Sequence, residues 1–140
     1  MVKQIFINLP VKDLKKTVVF FKELGFEFNP QFTDENAACM MISKDIFSML
    51  IVEKMFKSFT KKKISDAKKS TEAIIGLAVN SKKEVDGMVD KAIRAGGNEP
   101  RKSLDHGWMY SRSFEDLDRH IWEIFYMDEK KMPKEMKDKK

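Results

Sequence analysis

Cysteine, histidine and long apolar runs are scarce in this chain, and each scarcity removes a class of protein. Among 140 residues there is one cysteine, Cys39. A lone thiol closes no intrachain disulfide, so a disulfide scaffold is excluded and a reducing cytoplasm is the expected location. The longest apolar runs, such as 49–52, are a few residues long, far below the roughly 20 that cross a bilayer, so no membrane partner is expected. Residues 1–6 hold no apolar signal core ahead of Lys12 and Asp13, so no secretory signal is expected. Six glycines and four prolines without a repeat rule out a collagen-like fibre. His106 and His120 are the only imidazoles.

Charge is present, but unevenly. The formal net charge is +5. Residues 54–69 carry seven lysines against Asp66, a local +6, and residues 128–140 carry six lysines against four acids, a local +2. Removing both from the total of +5 leaves the remaining chain at −3. The basic residues therefore lie in one surface segment and one tail, and a nucleic-acid partner is not expected. Phe56 and Phe59 sit among the lysines at helical spacing, which reads as the inner side of a short helix over 53–70. The lysine-rich segment is also a candidate for docking an acidic partner.

The order of elements shows a repeat. Residues 3–10 read as a strand; Asp13 then caps a helix with Leu14, Val18, Phe21 and Leu24 at helical spacing, and Gly25 follows its end. Residues 36–43 and 46–52 are apolar strands around a tight turn at Lys44-Asp45. The pattern then restarts. Residues 72–79 alternate as a strand, Ser81 and Glu84 form a capping box, and Val85, Met88, Val89, Ala92 and Ile93 make an apolar stripe that closes at Gly96-Gly97. Residues 106–114 and 121–127 are the last strands, and the charged tail 128–140 has little to bury and is expected to fray. The reading is an α+β fold of two tandem β-α-β-β-β modules forming a curved mixed sheet. It is one domain over 1–127, with modules at about 1–53 and 71–127 joined by 54–70.

Two clusters carry a resemblance. Leu9-Pro10-Val11-Lys12-Asp13-Leu14 with Phe20-Phe21-Lys22-Glu23-Leu24-Gly25-Phe26 resembles the first strand and helix of the vicinal oxygen chelate superfamily. This superfamily includes glyoxalase I, bleomycin-resistance proteins and extradiol dioxygenases. Ser113-Phe114-Glu115-Asp116-Leu117-Asp118-Arg119-His120-Ile121-Trp122-Glu123 resembles its F-x-D-P-D-G-H-x-W-E ending. Arg119 stands where the pattern has glycine, which calls for positive φ at a cost of about 1 kcal/mol.

The resemblance implies a ligand cup between modules with four metal-ligand positions. They fall on Phe6, Met49, Ile74 and Glu123, of which Glu123 alone offers a hard donor. One carboxylate is short of the three protein ligands usual at a catalytic zinc, so no metal cofactor is expected. The leading expectation is a homodimer binding a small, partly apolar ligand, with Phe6, Asn8, Met49, Ile74, Trp108 and Tyr110 lining the cup. Glu123 is then either a general base or a carboxylate hydrogen-bonded to Asn8 or Tyr110. The alternative is a lyase, isomerase or dioxygenase whose divalent metal is held by Glu123 with relocated ligands such as Glu72 and a histidine. Cys39 reads as a buried structural thiol.

Overall fold

A computed structural model describes residues 1–138, and the chain divides into two compact units, Met1–Ser70 and Thr71–Lys140. In the first unit, β1 (Ile5–Val11) leads through Asp13 into α1 (Leu14–Glu23). The Asp13 carboxylate accepts the Lys16 N–H at 3.1 Å, and the Thr17 hydroxyl donates to the Asp13 carbonyl at 2.9 Å. Leu14, Thr17, Phe20 and Phe21 are the buried stripe of α1. Gly25, at φ 102°, turns the chain into β2 (Glu27–Asn29). The hairpin of β3 (Ala37–Ser43) and β4 (Ile46–Val52) turns at Lys44-Asp45 as expected. The sheet order is β1-β4-β3-β2, with β1 parallel to β4 and the other pairs antiparallel.

The second unit repeats this plan. β5 (Ile74–Ala78), α3 (Lys82–Arg94), β6 (Leu104–Asp105), β7 (Met109–Glu115) and β8 (Ile121–Met127) form a sheet in the order β5-β8-β7-β6. Again the first strand is parallel to the last. The Ser81 hydroxyl accepts the Glu84 N–H at 3.1 Å, and the Glu84 carboxylate reaches back to the Asn80 N–H at 2.7 Å. That reciprocal cap is the one expected from the spacing, with the return bond shifted by one residue. Val85, Val89 and Ala92 are fully buried on α3.

The β7–β8 turn is organised by one carboxylate. Asp116, 1% exposed, accepts the backbone N–H groups of Asp118 at 2.9 Å and His120 at 3.0 Å on one oxygen. Its other oxygen accepts the indole N–H of fully buried Trp122 at 3.0 Å. Burial pushes the Asp116 carboxyl up from its ordinary range, against the pull of these donors and of His120. Arg119 has φ 72°, the left-handed conformation expected where it replaces glycine. Its guanidinium pairs with Glu115 at 3.2 Å.

The lysine-rich segment differs from expectation. Between β4 and β5, helical structure is confined to α2 (Glu53–Phe56) and a 3₁₀ turn at Lys57–Phe59. Beyond it the Thr60 hydroxyl accepts the Lys62 N–H at 3.1 Å, and Asp66 closes a turn by accepting from Lys68, Lys69 and Ser70. Like charges at Lys61, Lys62 and Lys63 disfavour a helix, and these local side-chain bonds offer the backbone another conformation. Phe59 is 64% exposed rather than turned inward. The tail carries a 3₁₀ turn at Glu129–Lys131 and α4 (Lys134–Lys137) after Pro133. Its last two residues, 139 and 140, lie outside the described residues.

Candidate functional site

Each sheet has a helix-covered face and an open face, and strand parity decides which residues lie on which. In the first unit Ser48, Leu50, Ala38 and Met40 are buried, on the face opposite to Phe47 and Met49. Phe6 and Asn8 of β1 lie opposite Phe47 and Met49 of β4. Phe6 and Phe47 stack with ring centroids 4.7 Å apart and planes at 14°. Phe6 nevertheless remains 48% exposed, and Asn8 beside it is exposed. Cys39 pairs with Met49 but is 1% exposed, and burial pushes its thiol up, as an inert structural cysteine requires.

In the second unit the open face follows from Glu123. Across the sheet it pairs with Gly76 on β5 and Ser113 on β7; Ile121 and Phe125 flank it on its own strand. Ile74, paired with Ile121, is 58% exposed. Glu123 is neutralised by a residue that spacing alone did not suggest, Arg101. Its Nη2 donates to the Glu123 carboxylate at 3.3 Å and to the Ser111 hydroxyl at 3.1 Å, while Nη1 donates to the Lys102 carbonyl at 2.9 Å. Tyr110, one of the expected partners, bonds Asp86 of α3 instead.

Arg101 reaches this face through a register slip. Asn98 pairs with Glu115, and Leu104 pairs with Ser111, so six steps on one side face four on the other. The two extra residues leave the ladder at 99–103, where Pro100 has no N–H to give. Glu99 consequently turns to the helix side of β7 and Arg101 to the open side. No periodicity signals such a bulge; only the Pro100 interruption was visible beforehand.

Tyr110 requires a correction. It was expected to line the same cup as Glu123, but β7 places it on the opposite face, one residue out of step with Ser111 and Ser113. Its hydroxyl donates to Asp86 of α3 at 2.6 Å, which pushes the phenol up to about 12. Next to it Arg112 bonds Glu99 with two nitrogens, at 2.9 and 3.0 Å, and Asp86 and Asp90 at 3.0 Å each. Glu99 first and the two aspartates with it hold that guanidinium charged, well above its ordinary value. This cluster fastens α3 to β7. Trp108 has the parity of Tyr110 and precedes the strand, with its carbonyl accepting from Asp128.

Residues 3–43 match the family described as bleomycin resistance protein-like N-terminal. The hypothetical protein SA1046 from S. aureus is 31% identical, with 90% of this chain and 95% of that one aligned at a TM-score of 0.76. A glyoxalase/bleomycin resistance protein/dioxygenase family enzyme from Burkholderia phytofirmans PsJN shares the fold at 15% identity and TM-score 0.74, over 87% of this chain and 96% of that one. The fosfomycin resistance protein FosX from Mesorhizobium loti does so at 13% and 0.65, over 90% and 93%. No curated protein matches the chain.

The chain has the glyoxalase/bleomycin resistance fold of the vicinal oxygen chelate superfamily, and residues 3–43 carry the bleomycin resistance protein-like N-terminal pattern. The superfamily's chemistry implies a divalent ion, and the residues here do not fit one. Phe6, Met49 and Ile74 offer no oxygen or nitrogen donor, and the Glu123 carboxylate already faces a guanidinium that repels a second cation. No group of three or more His, Cys, Asp or Glu among the described residues is placed to hold a metal.

Proposed function

We propose that this chain is a ligand-binding member of the superfamily, acting without a divalent ion on a small, partly apolar molecule. The observation that carries this reading is apolar surface left open at former donor positions: Phe6 is 48% and Ile74 58% exposed, although each lies in a paired strand. Large apolar side chains kept half in water on a sheet face mark a surface meant to be covered. The stacked Phe6–Phe47 pair with Asn8 offers a flat ring-binding ledge carrying one amide. A small drug-like ligand suits this arrangement, as the name of the fosfomycin-resistance fold neighbour suggests. The working form in this reading is a cytoplasmic homodimer.

Two measurements test it. Untagged protein, purified without chelator, is expected to hold no stoichiometric Ni, Zn, Mn or Fe by elemental analysis; a full equivalent of any of them overturns the metal-free reading. Anilinonaphthalene sulfonate is the probe for the ledge. Phe6→Ser should weaken its fluorescence-monitored binding several-fold, because the ring loses its stacked platform. Equal affinity in the variant removes the ledge from the binding surface.

A further inference from the structure

The two arginines of the second unit are held in different ways. Arg112 is saturated by three carboxylates at 3.0 Å or less. Arg101 has one carboxylate, at 3.3 Å, with the remaining described bonds made to neutral oxygens. Its side chain is 32% exposed. Three acceptors fix the plane of a group that carries five N–H donors, so the fork is oriented but not filled. The chain inserts two residues between Asn98 and Leu104 to bring this fork to the one position where the superfamily's donor set survives. Gly76, directly across from Glu123, leaves room for the Phe125 ring, which a Cβ there would meet at 3.3 Å.

We propose that Arg101 supplies the positive charge that a divalent ion supplies elsewhere in the fold, and that the ligand presents a carboxylate to it. The inference rests on the ligand-binding reading above and names its ligand class: a planar carboxylate joined to a small apolar body. The carboxylate takes the fork edge that Glu123 now occupies through Nη2, displacing it, the geometry in which two parallel N–H···O bonds form. The apolar body lies against Ile74, Ile121 and Phe125, which surround Glu123 on the same face. Glu123 holds the fork in place when no ligand is bound and competes with the ligand for it. It is a positioning residue, and no bond in the ligand is made or broken.

Calorimetric titration with phenylacetate and phenylacetamide separates the claims, because the two differ in charge and hardly in shape. The native chain should bind phenylacetate about tenfold more tightly, the value of one well-placed charge-assisted pair. Arg101→Gln should abolish that preference while leaving phenylacetamide binding unchanged, and Arg101→Lys should retain part of it. Glu123→Gln should strengthen phenylacetate binding several-fold by releasing the fork, whereas a Glu123 that contacts ligand or metal directly would weaken it. Circular dichroism and urea midpoints of each variant show that the fold is intact. Equal binding of the two probes to the native chain overturns the role of Arg101 and leaves the ligand-binding reading standing. A preference that survives in Arg101→Gln also overturns it, and binding of neither probe overturns both.

Discussion

Replacing Asp116 by Asn changes one atom at the centre of the β7–β8 turn, and the structure sets its cost. One carboxylate oxygen receives two backbone N–H groups and the other receives the Trp122 indole N–H. An amide can keep only one of these sides. The cheaper orientation keeps the carbonyl on the backbone pair and points the NH₂ at the indole, so two donors face each other beside a fully buried tryptophan. Orphaning one buried donor costs about 1–3 kcal/mol. Removing a desolvated charge, the same desolvation that pushes the Asp116 carboxyl up, returns part of it. The expected loss is about 1–2 kcal/mol in urea unfolding followed by far-ultraviolet circular dichroism. The decisive control is the same substitution in a Trp122→Phe background, where no indole N–H remains to be orphaned. There the loss should shrink to below about 0.5 kcal/mol. An equal loss in both backgrounds would refute the assignment of the cost to the indole bond.

Other outcomes follow from single groups. The Ser48 hydroxyl is buried without a partner among the described residues, so Ser48→Ala should raise stability by about 1 kcal/mol, read from the urea midpoint. Tyr110 is held protonated by its bond to Asp86, so its tyrosinate absorbance should appear with a midpoint near 12. An unfolded tyrosine ionises near pH 10, so this stabilisation is complete below about pH 10 and is lost as pH rises toward 12. Asp86→Asn should bring the midpoint back toward 10, and an unchanged titration would contradict the pairing.

Much of the fold was legible because it rests on local chemistry. Asp13, Ser81 and Glu84 sit at cap spacing, and Gly25 and Gly96 adopt the positive φ that their places after helices imply. Arg119 takes the glycine conformation because the turn around Asp116 leaves it no other. The lysine-rich stretch departs from the helical spacing of Phe56 and Phe59 because repulsion among Lys61, Lys62 and Lys63 opposes a continuous helix. The face of Tyr110 depends on how β7 pairs with β8, which the order of aromatic residues along β7 does not record. That pairing sets Ser113, not Tyr110, in phase with Glu123.

The sequence by itself determined the two-module plan and the apolar side chains at Phe6, Met49 and Ile74, since both depend on residue type at a position within a strand. Only the tertiary structure decided what happens to Glu123. Its partner comes from 22 residues upstream, across a two-residue slip in a strand pairing. Neither hydrophobic period nor motif records such a slip, because it is defined by which backbone groups meet across the sheet. Cap and turn signals act within a few residues and can be read in order along a chain. A guanidinium brought to a carboxylate by strand register exists only once the strands have paired.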